Sequence, residues 1–121
     1  MSRLTDLEWY VLDALWSGGP MELGRVVDAL AGQTGWSRNT VHTYLTRMAA
    51  KGLVTIDRER TPHMYSAALA REACAAEERR GLLDRVYQGS AGKLVTAFVR
   101  DGTLSAEERE ALRALLDEME V

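Results

Sequence analysis

A mostly α-helical chain with one small β-hairpin is predicted by three observations. Apolar residues recur at helical spacing through most of the sequence, helix-start signals precede several of these runs, and only "LVTIDRE" and "HMYSAAL" read as strands. The first helix begins at "LTDLEWYVLDALW", where Thr5 and Glu8 have capping-box spacing and Leu4 can staple against Trp9. Its apolar side is Leu7, Val11, Ala14 and Leu15, and "SGGP" ends it. A second helix runs from about Glu22 to Ala31 with Leu23, Val26, Val27 and Leu30 on one side, and "GQTG" breaks the chain again. Ser37 caps the third helix, Trp36 and Val41 repeat the staple spacing, and Gly52 fits the left-handed position that ends it. The two strands follow, joined around Arg60-Thr61-Pro62. From Arg71, "REACAAEERRGLLDRVYQG" predicts a long helix closed by Gly89. "SAGKLVTAFVRDG" supplies a short helix, and "SAEEREALRALLDEMEV" a last one with a second capping box, Ser105 with Glu108.

At 121 residues the chain suits one domain or two small ones sharing a core. No apolar run approaches the ~20 residues of a membrane span, and "MSRLTDLEWY" has no signal-peptide core, so we expect a cytoplasmic protein without membrane insertion. A single cysteine, Cys74, excludes an internal disulfide framework and any multi-cysteine zinc site. It reads as a small, half-buried helix residue. We find no nucleophile elbow and no metal-ligand spacing, so neither catalytic residues, a metal nor a cofactor is expected.

The net charge of −3 hides an uneven distribution. Residues 36–66 carry +3, whereas residues 101–121 carry −5. Polyanions respond to the local field within about 8–10 Å, so the basic block matters more than the total. Its centre is "GWSRNTVHTYLTRM". Val41, Leu45 and Met48 form an apolar line, while Arg38, Asn39, His42, Thr43, Thr46 and Arg47 occupy the other side without one carboxylate. Three helices followed by a hairpin make a winged helix-turn-helix, whose third helix enters the DNA major groove. Asn and Arg can read base edges bidentately, and Ser or Thr can bond bases or phosphates. The helix start at Ser37–Asn39 favours a phosphate, and Thr40 stands where a capping-box Glu would repel it. Arg47 and Lys51 suit phosphates; Arg58, Arg60 and His63 on the hairpin are candidates for the backbone or the minor groove.

The segments "LTDLEWYVLDALW", "SRNTVHTYLTRMAAKGLV" and "MYSAAL", then "LLDRVYQGSAGKLVTAFV" and an acidic final helix, resemble the BlaI/MecI penicillinase-repressor family over nearly the whole chain. The resemblance implies a homodimeric repressor of transcription that binds inverted-repeat operators in double-stranded DNA. It implies DNA contacts from Ser37, Asn39, Thr40, Thr43 and Arg47; His42 stands where many members carry Arg.

These readings predict a winged domain over residues 1–69 and a helical dimerisation domain over residues 70–121. About fifty residues cannot close a self-sufficient core. Leu82, Leu83, Val86, Leu94, Val95, Phe98, Leu112, Leu115, Leu116 and Met119 are therefore expected to pack on a twin. The family resemblance also implies release by proteolysis in this region by a membrane sensor protease. It places the candidate bond at Ala97–Phe98, where many members carry Asn before the Phe. The rival expectation is a regulator released by a small-molecule ligand between the domains, with Trp9, Trp16, Trp36 and Tyr87 as its lining.

Overall fold

The computed structural model describes residues 4–119. Helix α1, Asp6–Gly18, starts at the expected capping box. The Thr5 hydroxyl accepts from the Glu8 N–H at 3.1 Å, and the Glu8 carboxylate accepts from the Thr5 N–H at 2.9 Å. Gly19, at φ 74°, turns the chain out of the helix. A two-residue strand, β1 (Met21–Glu22), leads directly into α2 (Leu23–Leu30). Periodicity cannot reveal so short a strand. It forms because the buried Met21 pairs with Tyr65 and Glu22 with Met64 on a distant strand. That pairing also sets where α2 begins, since its N-cap, Glu22, makes no side-chain capping bond.

Helix α3 is Arg38–Ala50, with Ser37 as its N-cap. Strands β2 (Val54–Asp57) and β3 (Met64–Ala67) complete an antiparallel sheet in the order β1-β3-β2, with Ile56 opposite Tyr65. Gly52, at φ 80°, makes the turn from α3 into β2 that the sequence pattern assigns to it. Helices α4 (Arg71–Val86), α5 (Ala91–Asp101) and α6 (Ala106–Met119) follow. The chain divides into two compact units, Met1–Ala76 and Glu77–Val121.

The core of the first unit is built from Val11, Leu12, Leu15, Met21, Val26, Leu30, Val41, Leu45, Met48, Leu53, Val54 and Tyr65. Of the α1 stripe predicted from sequence, Val11 and Leu15 are buried and Ala14 is half-buried. Leu12 is fully buried, whereas Leu7 stays exposed. Helix α1 meets α2, α3 and β3, so its apolar arc is wider than the narrow stripe the spacing suggests. Cys74, expected to be half-buried, is 3% exposed. Trp16 ties the end of the sheet region to α1: its Nε1 donates to the Leu69 carbonyl at 2.9 Å. Trp9 meets Trp16 edge-on at 5.6 Å, and Arg71 lies 5.9 Å over the Trp16 ring and 3.6 Å from Asp13.

The second unit has well-formed helix ends and little interior. Ser90 caps α5 by accepting from the Lys93 N–H, and Gly102 closes it in the left-handed conformation. Ser105 and Glu108 exchange the two bonds of the predicted second capping box. No described residue from Glu77 onward is buried. Leu82, Val86, Val95, Phe98, Leu115, Leu116 and Met119 are exposed, and Leu83, Leu94 and Leu112 are half-buried.

Candidate nucleic-acid interface

Three side chains fix how α3 is presented. Val41 and Leu45 are fully buried and Met48 is 1% exposed, which orients the opposite side of the helix toward solvent. Arg38, Asn39, His42, Thr43, Thr46 and Arg47 are all exposed, and Thr40 is half-buried. At about 100° per residue, Asn39, Thr43, Thr46 and Ala50 fall within about 60° of one another, opposite the core line. His42 flanks this ridge on one side and Arg47 on the other.

The helix start is closed by hydroxyls rather than by carboxylates. The Ser37 Oγ accepts from the Thr40 N–H at 3.3 Å and donates to the Thr40 Oγ1 at 3.2 Å. There is no acidic residue in the first turn, so the positive end of the helix dipole is not neutralised from within. Trp36 stacks on Tyr44 at 4.3 Å and 20°, bracing the residue before the cap against the helix body. Arg38 reaches back toward α2; a Cβ on Gly24 would lie 3.5 Å from its Nη1.

The threonines of the ridge are already engaged. Thr43 Oγ1 donates to the Asn39 carbonyl at 3.0 Å, and Thr46 Oγ1 donates to the His42 carbonyl at 2.9 Å. Both hydroxyl protons are therefore turned back onto the helix. Arg47 has no carboxylate partner among the described residues.

Lys51, just after α3, has a partner that its sequence neighbourhood could not announce. Its Nζ lies 2.7 Å from the Glu8 Oε2. Glu8 is 4% exposed and accepts from the Thr5 N–H through its other oxygen. Burial pushes the Glu8 carboxyl up. The Lys51 hydrogen bond, the Thr5 N–H, the Lys51 charge and the Thr5 hydroxyl together outweigh it, leaving the pKa below the usual value. One carboxylate thus caps α1 and anchors the end of α3. The ammonium that sequence reasoning assigns to a DNA phosphate already carries this bond.

Arg58 and Arg60 are exposed on the turn between β2 and β3, as is His63. The neighbouring Asp57 accepts from the Glu59 N–H at 3.1 Å, so part of the wing's acidic charge faces its own backbone. One contributor escapes sequence reasoning: Glu8 lies 43 residues from Lys51 and has no local signal toward it. Thr46, which the sequence places on the carboxylate-free side but not among the expected DNA contacts, shares the exposed helical period of Asn39 and Thr43. Among the described residues, no group of acids, histidines and cysteines could hold a metal ion, and no helix is long and apolar enough to cross a membrane.

A family model described as penicillinase repressor matches residues 4–118. The methicillin resistance regulatory protein MecI of Staphylococcus aureus is 24% identical over 115 residues, covering 95% of this chain and 94% of MecI. The transcriptional regulator BlaI of Mycobacterium tuberculosis strain H37Rv is 35% identical over 126 aligned positions, covering 99% of this chain and 87% of BlaI. Among solved structures, a cysteine-to-serine mutant of MarR from E. coli aligns with a TM-score of 0.51 at 16% identity, over 95% of this chain and 76% of that one. That likeness shows the fold alone.

Proposed function

The chain belongs to the penicillinase repressor family, and from that footing we propose that it acts in the cytoplasm as a homodimeric repressor on an inverted-repeat operator. The observation that carries this reading is the outward side of α3, exposed and free of carboxylates in a chain of net charge −3. Its relatives are named as a methicillin resistance regulatory protein, a penicillinase repressor and a transcriptional regulator, and the chain is not an enzyme.

In this reading α3 lies in the major groove with Asn39, Thr40, His42 and Thr43 toward base edges. Ser37 and the N–H groups at the helix start meet a phosphate, and Arg38 lies beside them. Arg47 grips the backbone, with Lys51 sharing its charge between Glu8 and a phosphate. Arg58 and Arg60 follow the backbone from the wing. Residues 1–69 form the reading domain and residues 70–121 the dimerisation domain. The exposed Val95, Phe98, Leu115, Leu116 and Met119 are the surface that a second copy would cover, because burying large apolar side chains that the chain itself leaves in water is favourable.

Release by a membrane sensor protease is assigned to the Ala97–Phe98 bond. The support is local: α5 contains no residue buried within its own chain, so in a chain parted from its twin opening the helix disrupts little packing. Mass spectrometry of the chain recovered from induced cells should find a new terminus at Phe98. An intact chain after induction would remove this part of the proposal.

Titration against an inverted-repeat promoter fragment at several salt concentrations tests the whole reading. Affinity should fall steeply with salt, with a slope of about −0.9 for each phosphate neutralised. Absent or salt-independent binding would overturn it. A monomer at micromolar concentration in sedimentation would remove the homodimer separately.

A further inference from the structure

Resting on the DNA-reading role of α3, we propose that Thr43 and Thr46 are specificity-determining residues that recognise thymine through their methyl groups. A threonine has two ways to read a base: hydrogen bonding by its hydroxyl, or apolar contact of its methyl with the thymine C5-methyl. The first is restricted here at both positions. Each hydroxyl proton is committed to the carbonyl four residues earlier, at 3.0 Å for Thr43 and 2.9 Å for Thr46. Neither hydroxyl can donate to a base without breaking that bond. What each exposed residue offers outward is its methyl group and a remaining acceptor lone pair.

Position makes the methyls a set. Thr43 and Thr46 are three apart and belong to the ridge directly opposite the buried Val41, Leu45 and Met48, so they project furthest from the core. Ala50 continues the same line with a third exposed methyl. At the other end of the ridge, the Asn39 side chain has no hydrogen-bond partner among the described residues, and its amide geometry matches adenine N6 and N7. The ridge therefore presents one bidentate amide followed by a run of methyls. Such a surface selects A·T pairs in a fixed order: an adenine for Asn39, then thymines whose methyls meet Thr43 and Thr46.

The test uses the full-length protein and duplexes enriched from a random-sequence pool. The enriched duplex is resynthesised with deoxyuridine replacing thymine, one symmetric pair of positions at a time. Deoxyuridine keeps every hydrogen-bonding group and removes only the methyl. Substitution at one or two positions per half-site should weaken binding by about fourfold for each thymine methyl removed from a threonine, the equivalent of one buried methyl group. Thr43→Ser or Thr46→Ser, which keeps the hydroxyl and its bond to the helix, should lose affinity for the thymine duplex. The same variant should bind thymine and uracil duplexes equally at its own position. Equal binding of all uracil duplexes by the unmodified protein would overturn the proposal. So would uracil sensitivity that persists unchanged in both serine variants. In either case salt-dependent binding of the enriched duplex would leave the DNA-reading role standing. A pool that yields no enriched sequence would overturn both.

Discussion

Lys51→Met and Glu8→Gln each remove one half of the same ion pair, and the structure predicts unequal costs. In the methionine variant the Glu8 carboxylate stays at a position only 4% exposed, keeps its bond from the Thr5 N–H, and loses its cation. An under-satisfied buried carboxylate costs roughly 1–3 kcal/mol, so we expect about 2 kcal/mol. In the glutamine variant the amide oxygen can still accept from the Thr5 N–H, because Gln serves in a capping box as Glu does. The Lys51 side chain, 55% exposed, returns to water. The loss should then be ~1 kcal/mol or less. The double variant strands no charge and should resemble Glu8→Gln alone rather than the sum of the two. Urea unfolding at one fixed protein concentration measures all three. Trp9, Trp16 and Trp36 all lie in the first unit, so tryptophan emission follows the part of the molecule that holds the pair. Glu8→Gln costing as much as Lys51→Met, or a strictly additive double variant, would refute this account of Glu8.

Acid titration examines the same pair. The folded pKa of Glu8 is lowered, so its stabilisation is complete above the unfolded carboxylate pKa of about 4.3 and is lost as pH falls through the folded value. Glu8→Gln should flatten that acid limb in a pH series of unfolding curves. Arg47→Ala should reduce the salt slope of DNA binding by about 0.9 for each copy, about 1.8 for the homodimer, and weaken all sequences alike, as read by fluorescence anisotropy. Ser37→Ala removes the α3 cap, which should cost about 1 kcal/mol in urea unfolding and lower DNA affinity further by loosening the helix start. Phe98→Asp places a charge on the exposed apolar side of α5 and should shift sedimentation toward monomer.

What the sequence made legible were features encoded by neighbours a few residues apart. Both capping boxes, the Ser37 cap, the glycine after α3 and the Val41, Leu45, Met48 line are local patterns, and all are present. Features that depend on distant partners were not legible. Strand β1 exists only through β3, and Leu12 is buried only because α1 meets three elements at once. The Lys51 ammonium has no partner in its own stretch of sequence; the fold brings Glu8 beside it. In the candidate interface, the side of α3 could be read from periodicity. The direction of the Thr43 and Thr46 hydroxyls, which decides what they can offer a base, is set only in the folded helix, by the carbonyls of Asn39 and His42.

The absence of any buried side chain among the described residues of the second unit bears on how the cell sets the amount of active protein. Helices α5 and α6 gain too little from their own packing to offset the entropy of ordering them. Under the homodimer proposal, a second copy supplies that missing interior, and the order of this half becomes a function of abundance. A freshly made chain in dilute solution would present frayed helices to housekeeping proteases, whereas one in a populated pool would be sheltered by its twin. Dosage would then act twice, once on operator occupancy and once on the lifetime of the molecule that occupies it.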